Sequence, residues 1–176
     1  MPCTGGRHAV ISWRDTTSGS YKTGAATQVR VDGVDTDTDR VRFDTKIAVL
    51  LRDDLQPWQE LNVCAFLVSG IAAADPDVIG EPYADADGTG YLAMFGQPVL
   101  VFQGSKETLT AAHTRALGRR IAMSVFTSDL FTTGDDVCNR AAVRAVPRDQ
   151  LDLVGIALHS ARNAVDKVLK GARMHP

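Results

Sequence analysis

The chain has 176 residues, of which 44% are hydrophobic and 23% charged, and a formal charge of -2, the size and balance of one globular domain with a proper core. The near-neutral charge argues against a face that grips long duplex nucleic acid, which needs strong basic charge, and leaves a small or locally read ligand. Three cysteines, Cys3, Cys64 and Cys138, with no C-x-x-C pair, exclude a disulfide framework and a zinc knuckle and fit a reducing, cytoplasmic compartment.

Residues 1–42 contain no Leu, Phe or Glu and end in the polar run Asp35-Thr36-Asp37-Thr38-Asp39. That composition reads as an extension, partly docked or flexible, ahead of a domain over residues 43–176. Ala9 to Trp13, and Gln28 to Val34 with valines alternating with Arg30 and Asp32, are the pieces able to dock, the second as an edge strand. No apolar leader opens the chain, and the apolar stretch Val63 to Ala74 is short and broken by Ser69 and Gly70, so neither an export signal nor a membrane span is expected.

Ile47 to Leu51 is a continuous apolar run of strand length, as a strand covered on both faces requires. Pro57 suits the first turn of a helix. Trp58, Leu61, Ala65, Val68 and Ala72 recur at helical spacing as its core stripe, and Gln59, Asn62, Phe66 and Ser69 form a second line able to face a ligand. Asp75-Pro76 ends that helix, and the Gly- and Asp-rich stretch to Gly90 reads as a long loop.

Pro98 to Phe102 is a second strand, followed by a helix that Ser105 caps and that presents Leu109, Ala112, Ala116 and Leu117. Ile121 to Phe126 and Leu151 to Leu158 read as third and fourth strands. Between them Asp136 to Val146 is a helix with Cys138, Ala141, Ala142 and Ala145 inward, and Arg162 to Lys170 is the last helix. The alternation predicts a three-layer α/β/α sandwich around a small mixed sheet of about four strands.

The segment Lys46 to Gly70 resembles the opening strand, Arg-x-Asp-Leu turn and first helix of the peptidyl-tRNA hydrolase II superfamily. Leu153 to Ala157 followed by Ala164 to Gly171 resembles that superfamily's last strand and closing helix. Trp58 to Leu67, Gly80-Glu81-Pro82-Tyr83, Asp85-Ala86-Asp87-Gly88, Thr133-Gly134-Asp135 and Asn139-Arg140 resemble a narrower group, the domain of unknown function 2000. The superfamily's helix motif G-K-I-A-A-Q carries a functional lysine and glutamine; Glu60 and Cys64 stand in their places here. Its catalytic D-A-G-R-T-Q segment is replaced by Ser128 to Gly134. The resemblance therefore implies the fold, and the departures imply loss of peptidyl-tRNA hydrolysis.

Arg52, Asp53 and Asp54 follow the first strand at its carboxyl end, where open α/β sheets place ligands; alternatively Arg52 pairs with Asp54 to hold the loop. Gln59 and Asn62 offer amides beside a helix N-terminus that favours anions. Cys64 is either a nucleophile or base, or a small buried hydrophobe; with Cys138 it would make a two-base isomerase. Asp85-x-Asp87-Gly88 is a tight turn rather than a calcium loop, which would need further ligands. Tyr83 and Glu81 sit on a loop able to close over a site or to pack on the domain. Thr133-Gly134-Asp135 with Asn139 and Arg140 forms either an anion site or a helix cap with a surface Arg. No metal is expected, since His113 and His159 lack partners at ligand spacing and His8 and His175 lie near the termini.

The resulting expectation is a pocket at the carboxyl end of the first strand, walled by the first helix, the Glu81 to Asp87 loop and the Thr133 to Arg140 segment. Its ligand would be small, polar and acyl- or carboxylate-bearing, and aminoacyl-like. Cys64, Asn62 and Asn139 are the catalytic candidates; Arg52, Asp54, Gln59, Tyr83, Asp135 and Arg140 are the ligand-binding ones. The function is either a cofactor-independent hydrolase or isomerase, or a non-catalytic module for a small ligand or an RNA end, with homodimerisation allowed.

Overall fold

A computed structural model describes residues 42–176; the expectations for residues 1–41, including the edge strand at Gln28 to Val34, lie outside the described residues. In chain order the elements are β1 (Thr45–Arg52), α1 (Pro57–Ala74), β2 (Tyr83–Ala84), β3 (Gly90–Tyr91), β4 (Val99–Gly104), α2 (Lys106–Gly118), β5 (Met123–Thr127), α3 (Asp136–Arg144), β6 (Leu153–Ala161), α4 (Arg162–Val168) and β7 (Arg173–Met174). Among the described residues five strands make the main sheet, in the order β5-β6-β1-β4-β7. Only β1 and β4 run parallel; the other neighbours are antiparallel.

The sheet therefore has one strand more than expected. The addition, β7, pairs only Arg173 with Gln103 and Met174 with Phe102, and two residues are too few for an alternation to be read. Gly171 turns the chain towards it in the left-handed region, at φ +95°. The stretch after α1 is not a plain loop either, for β2 and β3 form a hairpin with Tyr83 opposite Tyr91. Asp85 organises its turn by accepting from the Asp87 and Thr89 backbone N–H groups and the Tyr91 hydroxyl at 2.8–3.0 Å; Tyr91 heads the contacts that hold its carboxyl below the usual range.

Strand β1 sits in the middle, and its alternate residues feed two cores. Ile47, Val49 and Leu51 join Val63, Leu67 and Ile71 of α1 on one face. Ala48 and Leu50 join Leu109, Ala112 and Ala116 of α2 and Val165 and Val168 of α4 on the other. Helices on both faces explain why β1 has no polar alternation.

Helix α1 buries Val63, Leu67 and Ile71, not the expected stripe: Trp58 and Leu61 are 60% and 75% exposed. The helix is apolar on several sides, so its period does not select a face. Gly155 of β6 does, since a Cβ there would lie 2.6 Å from Val63 Cγ1 and 2.9 Å from Leu67 Cδ1. In α3 the expected inward alanines Ala141 and Ala145 are exposed, and Cys138, Asn139, Ala142 and Val143 are half-buried. Helix α4 stops at Val168, two residues short of the expected end.

Candidate functional site

A cleft of about 450 Å³ runs between the second half of α1 and α3, over edge strand β5, lined among others by Phe66, Ser69, Gly70, Ser124, Phe126, Leu130, Asn139, Arg140, Val143 and Arg144. A second cavity of about 400 Å³ adjoins it, sharing Phe66, Phe126, Leu130, Asp136 and Asn139 and adding Trp58, Asn62, Phe131 and Thr133. Its floor is aromatic. Phe66 meets Phe126 edge-on at 5.8 Å, Phe126 meets Phe131 at 5.2 Å, and Phe131 meets Trp58 at 5.7 Å, separations at which ring pairs attract beyond simple burial.

The polar flank comes from α3. Asp135 caps that helix by accepting from the Cys138 N–H at 2.8 Å, and the Thr133 hydroxyl lies between the Leu130 carbonyl oxygen and the Asn139 side-chain amide, which fixes that amide at the cleft. Arg140 pairs with Asp136 at 3.0 Å, four residues apart and exposed on both sides. Arg144, one turn further, has no ion pair among the described residues. An apolar floor with an amide and two guanidiniums on one wall suits a ligand with an apolar body and one carboxylate.

Of the residues singled out from the sequence, Asn62, Asn139, Arg140, Asp135 and Thr133 gather at this double cleft. The others do not. Arg52 bonds Asp54 at 2.6 Å and Asp152 at 2.9 Å, and Asp152 also pairs with Lys106 at 2.7 Å, so Arg52 and Asp54 hold the β1 terminus to β6 and α2. Gln59 Oε1 accepts from the Gln56 N–H at 2.9 Å, a helix cap. Tyr83 is half-exposed on its hairpin and lines none of the cavities described here. At the expected position, the end of β1, Arg52 and Asp54 are engaged in ion pairs, the β2–β3 hairpin pairs within itself, and no cavity described here is lined by residues of the Glu81 to Asp87 loop; the cleft that gathers Asn62, Asn139 and Arg140 lies along β5.

Cys64 lines a separate cavity of about 350 Å³ with Glu60, Leu61 and His175. Its thiol is free and burial pushes its pKa up, which favours the neutral form over the thiolate. His175 Nε2 lies 3.2 Å from Glu60. No cavity described here is lined by both Cys64 and Cys138, so the two-cysteine isomerase lacks a common site. Among the described residues no group of His, Cys, Asp and Glu is arranged to hold a metal ion, and no helix is long and apolar enough to cross a membrane.

Sequence reasoning passed over one pair. His159 Nδ1 lies 2.9 Å from Asp75 Oδ2, joining β6 to the end of α1 across 84 residues of sequence. Asp75 reads in sequence only as a helix stop, and no spacing rule links it to His159.

A solved structure of Atu0240, a protein of unknown function from Agrobacterium tumefaciens strain C58, is 46% identical, covers 77% of this chain and all of its own, and superposes with a TM-score of 0.75. The urease accessory protein UreG 1 of Saccharopolyspora erythraea is 37% identical over 90 residues, 51% of this chain; the chain thus spans only 34% of that relative's length. The family model described as protein of unknown function, DUF2000, matches residues 45–176, the whole of the sheet and its helices, and the chain accordingly belongs to the DUF2000 family.

Proposed function

We propose that the protein acts on a small molecule with an apolar body and a carboxylate or acyl head, held in the cleft between α1 and α3. The observation that carries this reading is the placement of Arg140 and Arg144 along one wall of a cavity floored by Phe66, Phe126 and Leu130. The apolar body displaces water from the rings, and the carboxylate takes charge-assisted hydrogen bonds from guanidinium and from Asn139. We further place the domain in the peptidyl-tRNA hydrolase II-like superfamily; the mixed sheet covered on both faces and the resemblance of the Lys46 to Gly70 and Leu153 to Gly171 segments support that placement. The side chains standing for its functional lysine and glutamine, Glu60 and Cys64, face a different cavity, which supports a changed activity.

The test is binding of hexanoate and 3-phenylpropionate, with hexanol and 3-phenylpropanol as uncharged controls, followed by calorimetry and amide chemical shifts. The acids bind with shifts at α3 and at Phe66 and Phe126, and the alcohols bind weakly. Arg144→Ala and Arg140→Ala each weaken the acids about tenfold, roughly the 1.5 kcal/mol of one charge-assisted bond. Equal binding of acid and alcohol, or shifts elsewhere, refutes the reading.

A further inference from the structure

We propose that Ser124, His159 and Asp75 form a nucleophile, base and orienting carboxylate, and that Ser124 delivers this chemistry into the cleft. The proposal deepens the reading of the cleft given above, on which it rests.

All three residues line one cavity of about 300 Å³ at the foot of α1, and Ser124 also lines the cleft that holds Arg140 and Arg144. Ser124 therefore stands at the partition between the two. The register explains how they meet. Ser124 pairs with Ala157 across β5 and β6, and His159 is two residues beyond Ala157 on the same strand and the same face, a diagonal neighbour about 7–8 Å away between backbones and within reach of long side chains. Gly70 of α1 lies directly over Ser124, where a Cβ would come within 2.3 Å of Oγ; its missing side chain is what admits the hydroxyl.

The imidazole is already set up as an acceptor. Asp75 engages Nδ1 at 2.9 Å, and a carboxylate accepts, so in the neutral ring Nδ1 carries the proton and Nε2 the lone pair. Nε2 is buried and has no hydrogen-bond partner among the described residues. A buried acceptor left unpaired is costly in a purely structural histidine; a hydroxyl or substrate proton is the partner it lacks. These are the roles of the serine, histidine and aspartate in acyl transfer, which recur on unrelated folds in any chain order.

In the reaction the Ser124 Oγ–H proton passes to Nε2 as the bond from Oγ to the acyl carbon forms. The bond from that carbon to the leaving oxygen or nitrogen then breaks, and the leaving group takes the proton from Nε2. Water repeats the sequence: its proton goes to Nε2, its oxygen bonds the acyl carbon, and Oγ leaves with the proton restored. The substrate class is a short apolar ester or amide whose free carboxylate meets Arg140 and Arg144.

The test uses the full chain. Intact mass and peptide mapping follow incubation with two serine-directed probes of different bulk, phenylmethylsulfonyl fluoride and diisopropyl fluorophosphate, and turnover is read with the mono-p-nitrophenyl ester of glutaric acid, a short ester that keeps a free carboxylate. One adduct on Ser124 is expected, together with a loss of turnover of about 100-fold or more in Ser124→Ala and His159→Gln. His159→Gly regains activity with added imidazole, and Asp75→Asn lowers kcat with KM held, neither of which a packing role would produce. No adduct on wild-type Ser124 with either probe, or undiminished turnover in Ser124→Ala, overturns the proposal. Hexanoate binding to the wild-type protein separates the two readings: binding without an adduct sinks the nucleophile alone, and loss of both sinks the cleft as well.

Discussion

At the residue scale, Asp152 shows how a charge apparently available for ligands is absorbed by the scaffold. Its carboxylate accepts from Arg52 at 2.9 Å and sits 2.7 Å from Lys106, and the bond with Lys106, followed by Ser128 and the charge of Arg52, holds its pKa below the usual carboxylate range. The folded state thus favours the ionised form. Its contribution to stability is complete above the unfolded carboxylate value of 3.8 and is lost as pH falls through the lower folded value. Asp152→Asn should cost on the order of 1 kcal/mol at pH 7, a modest figure because the group is partly solvated. The gap between wild type and variant should close as pH falls below that range. Urea unfolding at pH 7 and at successively lower pH checks this, and a gap that widens in acid contradicts it. His113 adds a second dependence: burial first, then Arg148, lowers its pKa, so it favours the neutral ring and stability falls as pH drops below 6.5.

At the element scale, α1 carries most of what was misread and most of what matters. Its existence, its Pro57 start and its Asp75-Pro76 end were legible, because proline and capping act within a few residues. Its buried face was not legible. Gln59 became a cap and Trp58 an exposed partner of Phe131 because Val63 and Leu67 seat over Gly155. Gly155→Ala should therefore destabilise by about 1–3 kcal/mol by overpacking, and Val63→Ala in the same chain should recover part of that loss, since the two share one contact. Strictly additive losses in chemical unfolding would mean that Gly155 does not set the seat of α1. In α3 the cap by Asp135 was legible as local chemistry, whereas the direction in which Arg140 and Arg144 project depends on how the preceding turn lays that helix against β5.

At the scale of the whole molecule, residues 43–176 supply two cores: Ile47, Val49 and Leu51 meet α1 on one side, and Ala48 and Leu50 meet α2 and α4 on the other. We propose that a chain starting at Phe43 folds without the preceding 42 residues. Its expected signature is a cooperative melt within a few degrees of the full-length protein, with hexanoate binding retained. An aggregated or non-cooperative product would assign those residues a structural part. The α/β class, the strands β1, β4, β5 and β6 and the four helices were determined by the sequence alone, because periodicity, caps and turn residues act over short spans. The fifth strand, the buried face of α1, the cleft along β5 and the meeting of Asp75 with His159 were decided only by tertiary structure. Each depends on which distant segments pack against one another, and residues 84 positions apart leave no common period or spacing in the chain.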